Sequence, residues 1–371
     1  MSEPSLQEGA HNLLCNCAGG KAGDTVLIVG ESGPDPYYEP GLVDEVCKAA
    51  SGLNMKPICI LAEPPESATD FPASVAEAMQ DADITVFFSR IGDRVRFVSS
   101  PGGGTKVMSY ALTKEYLASA FGTTNYYVTE VLHERLLETI SSASGYRIRS
   151  EGGTDLTAEL HIGESRSDLI PFALKLFPTM IFPPIGFRNL NGTLTIDYFT
   201  LSSSTRSYED SVLMVSSPIR ARIENNVMTA FDGDNAMVEA FAAQCERAAR
   251  ITGGDPFRLN SWHTGINPNT FYDRDPYADL ERWGTVAYGS PRYTHIHAAG
   301  NDPGDLAIQL FDASICFDDE WIWNDGSFVF LDRPDNRALL KKSGQSQLVS
   351  DINLDIGIQS MRNRAKAQPA Q

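Results

Sequence analysis

The chain has 371 residues, 42% of them hydrophobic, which suits two folded domains and excludes a disordered polypeptide. Its 30 Lys and Arg face 48 Asp and Glu, a formal net charge of −18 that excludes a broad nucleic-acid-binding face, since phosphate neutralisation needs clustered cations. No apolar run approaches the roughly 20 residues needed to span a bilayer, and the N-terminus lacks a basic segment followed by an apolar core, so a cytoplasmic protein without a membrane partner is expected.

The first part of the chain alternates strand and helix patterns. Thr25-Val26-Leu27-Ile28-Val29-Gly30 reads as a strand, Leu42 to Ser51 as a helix and Pro57 to Leu61 as the next strand. A helix at Ser74 to Gln80, a buried strand at Ile84 to Phe88, helices at Lys114 to Ala120 and Thr129 to Ser142, and a strand at Tyr126-Tyr127-Val128 continue the rhythm. That pattern predicts an α/β domain with a parallel sheet over residues 1–150. Gly30-Glu31-Ser32-Gly33 lacks the spacing of a dinucleotide-binding turn, and Glu31 would repel a phosphate. Pro101 to Lys106 lacks the phosphate-loop spacing and reads as a loop. Cys47, Cys59, Cys245 and Cys316 lie in apolar contexts expected of buried thiols, and Cys15-Asn16-Cys17 reads as part of an N-terminal helix.

Beyond residue 150 the texture changes to strands and turns. Leu194 to Phe199 and Ser211 to Val215 are strand-like, Ile219 to Glu224 alternates, and Asn225-Asn226 signals a hairpin into Val227 to Phe231. A helix is predicted for Ala236 to Thr252, a late meander for Ser314 to Phe330 and a frayed tail for Arg362 to Gln371. The expectation for residues 151–371 is an α+β domain rich in antiparallel strands. His11, His133 and His161 stand alone and read as surface or capping residues.

Four motifs carry more information: Gly153-Thr154-Asp155-Leu156-Thr157, Pro184-Ile185-Gly186-Phe187, Trp262-His263-Thr264-Gly265-Ile266-Asn267-Pro268, and His295-Ile296-His297-Ala298-Ala299-Gly300-Asn301. Together they resemble the thermophilic leucyl aminopeptidases of the aminopeptidase T type and the related 2,5-dihydroxypyridine dioxygenases. The resemblance implies a site for two divalent metals in the peptidases and for one iron, held by two His and one Asp, in the dioxygenases. It also implies a homodimer. The metal-binding Glu that follows Pro-x-Gly in those families corresponds here to Phe187, and their closing His-x-Asp pair to Asp305-Leu306-Ala307.

Two imidazoles, His263 and His295, survive in this comparison, while Phe187 and Ala307 remove donors. The leading expectation is a vacated metal site with no cofactor, in which Phe187, Trp262, His263, Tyr293, His295, His297 and Asp305 line a cleft for a peptide or amino-acid-like ligand. Such a protein would present or conform a precursor peptide during natural-product maturation. The alternative is a metal-dependent enzyme holding Fe or Zn through His263, His295 and Asp305, dioxygenase-like or aminopeptidase-like. His295-x-His297 on a strand points both rings to one face, so His297 is a further donor candidate.

Overall fold

A computed structural model describes residues 4–163, 168–206, 210–352 and 354–367. They form two compact units, one of residues 4–131, 171–180 and 204–206 and the other of the remainder. The division is therefore not a single cut after residue 150; it falls inside the helix Tyr126–Ser142, and two later segments return to the first unit.

The first unit carries the expected parallel sheet, five strands in the order Lys56–Ala62, Thr25–Glu31, Ile84–Phe88, Thr105–Ser109 and Lys175–Phe177. Thr25–Glu31 and Ile84–Phe88 are interior strands, apolar on both faces and buried almost throughout, as helix-covered parallel strands must be. Lys56–Ala62 is an edge strand and leaves Ile58 and Leu61 41% and 66% exposed.

Several local readings change: the loop read at Pro101 to Lys106 runs into the strand Thr105–Ser109, and the strand read at Leu194 to Phe199 is two strands, Asn191–Ile196 and Phe199–Ser202, broken at Asp197-Tyr198 where Tyr198 takes a φ of 62°. Tyr126-Tyr127-Val128 is the first turn of a helix rather than a strand, because the Asn125 Oδ1 accepts the N–H groups of Tyr127 at 3.0 Å and Val128 at 3.4 Å and caps the helix start. Local capping overrides the strand preference of the aromatic pair. Cys47 and Cys59 are joined in a disulfide rather than buried as thiols, since the exposed edge strand sets Cys59 against the helix Leu42–Gly52. Cys245 and Cys316 are buried and free, and Cys17 lies in the π-helical turn Asn12–Cys17, where burial pushes its thiol up to about 12. The expected tail is partly a helix, Ile358–Ala367, and residues 368–371 lie outside the described residues.

Glu31 shows why the turn after the first strand is not a phosphate cradle. Its wholly buried carboxylate accepts the backbone N–H groups of Tyr37 (2.9 Å) and Arg90 (2.8 Å) and a forked pair from Arg90 Nε (3.0 Å) and Nη2 (2.7 Å). Removing one partner of such a pair strands a buried charge. Glu31→Ala is expected to destabilise the first unit by about 3–5 kcal/mol, read as a lowered urea midpoint, and an unchanged midpoint would refute this assignment.

The second unit is built on a 13-stranded sheet. Its paired strands are antiparallel, and the alternation read from the sequence is real: Ile219–Glu224 buries Ile219, Ala221 and Ile223 and exposes the residues between. Asn225 and Asn226 close the hairpin with positive φ of 48° and 70°, as a two-residue turn of the favoured hand requires. At the centre, Asp255–Thr264, Tyr293–Gly300 and Leu306–Phe311 run side by side. The latter two are buried throughout and Asp255–Thr264 is buried from Leu259 onward. The helix Asn235–Thr252, capped by the Asp234 carboxylate on the N–H of Met237 (3.1 Å), packs over the first two of these strands. These central strands carry the histidines.

Candidate metal centre

His263 and His295 are direct cross-strand partners, and His297 sits opposite Ser261. A register shift between Leu259 and Ser261 sets this alignment. The three rings project to one side of the sheet, with centroids 4.2 Å apart for His263 and His295, 4.9 Å for His295 and His297, and 5.1 Å for His263 and His297. All three are at most 2% exposed, and one nitrogen from each lies within 4.8 Å of the others. Among the described residues, theirs is the group of metal-ligating side chains close enough to share an ion.

Neighbouring groups fix the tautomers. His263 Nδ1 lies 2.9 Å from the carbonyl of Phe182, which can only accept, so Nδ1 carries the proton and a neutral His263 offers its Nε2 lone pair. Ser261 Oγ donates its single proton to the Pro303 carbonyl at 2.8 Å. Its oxygen is then the acceptor for His297 Nδ1–H at 3.0 Å, and His297 likewise presents Nε2. Orienting bonds of this kind, from backbone carbonyls and hydroxyls to the far nitrogen, accompany metal-ligating histidines generally.

His295 lies against Tyr288 and Tyr293, with ring centroids 4.5 Å and 5.4 Å away. The glycine of the Trp-His-Thr-Gly motif makes this possible: a Cβ on Gly265 would stand 2.3 Å from the backbone of Gly289 and Ser290, the segment that carries Tyr288. Asn267 extends the same approach by donating its N–H to the Gly289 carbonyl at 2.9 Å. Tyr293 is wholly buried, and that burial pushes its phenol well above the ordinary range, so it stays neutral.

The other residues singled out in the sequence lie elsewhere. Trp262 points to the opposite face of its strand and packs in the core against Tyr146, Phe182 and Phe317. Phe187 lies on a separate polar cavity of 310 Å³ with Asp168, Arg188, Arg258, Asn260 and Asp302, and none of the three histidines lines it. Asp305 is buried beside Gly300 and is outside the histidine group. Ala307 stands directly opposite His297, presenting a methyl group, and Gln309 stands opposite His295. Gln309, Ser261 and the Phe182 carbonyl were not found by motif reading. Strand alternation could have flagged Gln309 as a polar side chain sharing a face with Ala307 within a buried run.

No protein-family model and no curated protein sequence matches the chain. Among solved structures it is similar to 2,5-dihydroxypyridine dioxygenase from Pseudomonas putida KT2440, with a TM-score of 0.58 and 15% identity over 89% of this chain and 97% of that one. It is also similar to AmpT from Thermus thermophilus, with a TM-score of 0.47 and 10% identity over 87% and 98% of the two chains. The first likeness establishes a shared fold.

Proposed function

We propose that this chain is a one-metal enzyme whose ion would be held by His263, His295 and His297. The observation that carries the reading is the convergence of three buried imidazoles, two of them turned by their Nδ1 bonds to offer Nε2.

The donor set fits iron or zinc. Imidazole suits both ions, and three protein ligands leave room for water or substrate. When bound, such an ion supplies a Lewis acid that polarises a coordinated oxygen. The chain's own groups do the rest: Phe182 and Ser261 hold two rings in orientation, and Tyr288 and Tyr293 wall the third from water. A two-ion peptidase site needs carboxylates to neutralise and bridge its cations, and the group contains none, which favours the single-ion, oxygenase-type reading. Three neutral ligands also leave the charge of a divalent ion uncompensated, so the favoured substrate class is a small chelating anion such as a phenolate or carboxylate. The fold likeness to a dioxygenase supports the same direction.

The second reading is the metal-free peptide binder, presenting a precursor peptide in natural-product maturation. It is favoured by Ala307 opposite His297, where a carboxylate donor would otherwise project. Cobalt titration of chelator-treated protein separates the two. The metal reading expects visible absorption saturating at about one ion per chain, lost in His263→Ala. Protein that takes up no cobalt yet binds short peptides would reject it for the second reading.

A further inference from the structure

The second unit contains a cavity of 490 Å³ that none of the three histidines lines. Its lining combines apolar Val215, Pro218, Leu310 and Phe311 with Asp197, Tyr198 and Arg362. Tyr198 forms a tight turn between two strands, with φ of 62° and the Phe199 N–H donating to the Asp197 carbonyl at 2.8 Å. Positive φ at a tyrosine is strained, and here it sets the Tyr198 ring edge-on to Phe311, 5.1 Å between centroids, at the cavity wall.

The charges around this space do not balance. Arg362 is committed to Asp312 at 3.0 Å and reaches Glu151 at 4.0 Å, while Arg292 grips Asp312 through two hydrogen bonds of 2.8 and 3.0 Å. Three carboxylates therefore face two guanidiniums, and Asp197 closes no ion pair among the described residues. A carboxylate that closes no ion pair, in a cavity shared with two aromatic rings and apolar side chains, is the chemistry that recognises an ammonium group carrying an apolar body.

We propose that this cavity is a binding site for a small organic amine, with Asp197 as counter-ion and Tyr198 and Phe311 as the aromatic platform. The proposal is independent of the metal reading, because the cavity and the histidines share no residue. Burial pushes the Asp197 carboxyl up to about 7, against the lowering influence of Arg362. Glu151 and Tyr198 are the other titratable groups on the cavity wall and Asp312 stands behind Arg362, so amine binding tightens as pH rises from 6 to 8.

The test is calorimetry on the full chain, chelator-treated, with phenethylamine, N-acetylphenethylamine and 3-phenylpropionate as probes. The expected result is saturable binding of phenethylamine alone, weakened at least about tenfold by Asp197→Asn. Ser216→Phe, which fills the cavity from its wall, should abolish the same binding. Preference for phenylpropionate would assign the site to anions through Arg362 and overturn the proposal. So would undiminished amine binding in both variants, or no amine binding at millimolar concentration.

Discussion

Replacing His297 with alanine is expected to abolish divalent-metal binding, and replacing Ser261 with alanine is expected to weaken it about 10–100-fold while every ligand remains in place. The second change is the more discriminating. Ser261 touches no ion in this account; it acts by passing its proton to the Pro303 carbonyl and holding His297 Nδ1–H at 3.0 Å. Without it, His297 is free to adopt the other tautomer and to rotate, and Nε2 is no longer presented. Competition against a chromophoric chelator measures both variants, and circular dichroism checks that they remain folded. Equal affinity in wild type and Ser261→Ala would mean that His297 is oriented by packing alone and would remove the tautomer argument.

The second large effect concerns stability. The Asp197 carboxyl titrates near 7 in the folded chain because burial disfavours its charged form, against about 4 in an unfolded chain. The folded state thus holds the proton more tightly. The sign follows: the contribution of this group to stability is greatest below the unfolded value, falls as pH rises from about 4 to about 7, and stays low above that. Asparagine keeps the shape and carries no charge. Asp197→Asn is therefore expected to stabilise the second unit at pH 8 by about 3 kcal/mol, a rise in midpoint temperature of roughly 5–10 °C, and to change little at pH 4. A variant with the wild-type pH dependence would show that Asp197 is solvated in the folded chain. Stabilisation together with lost amine binding is the expected trade between stability and function at a charged cavity.

Much of the fold was legible because local and global preferences agree. The β-branched runs at Thr25–Glu31 and Ile84–Phe88, the alternation at Ile219–Glu224 and the Asn225-Asn226 turn each specify one structure and adopt it. Where a cap or a long-range partner decides, the pattern failed: Asn125 turned an aromatic triplet into a helix start, and polar Thr105 and Lys106 concealed a parallel strand. The fifth strand, Lys175–Phe177, pairs with residues some 70 positions earlier, which explains why a single domain boundary could not describe the chain.

The site was legible in part. His263 and His295 were found through their motifs, and the strand spacing of His295 and His297 told which way both rings point. The sequence could not show that His297 closes the group while Asp305 lies outside it, because that depends on register: His297 pairs with Ala307, and Asp305 falls beyond the paired run. Nor could it show the Phe182 carbonyl on His263, a contact across 81 positions made by a group every residue possesses.

The most direct test of the central claim is the metal content of protein purified without chelators, measured by plasma mass spectrometry beside a His263→Ala, His297→Ala double variant. Close to one iron or zinc per chain is expected in the wild type and none in the variant. A wild type that carries no metal and regains none on incubation with either ion, or a variant that keeps its metal, would contradict a three-histidine centre.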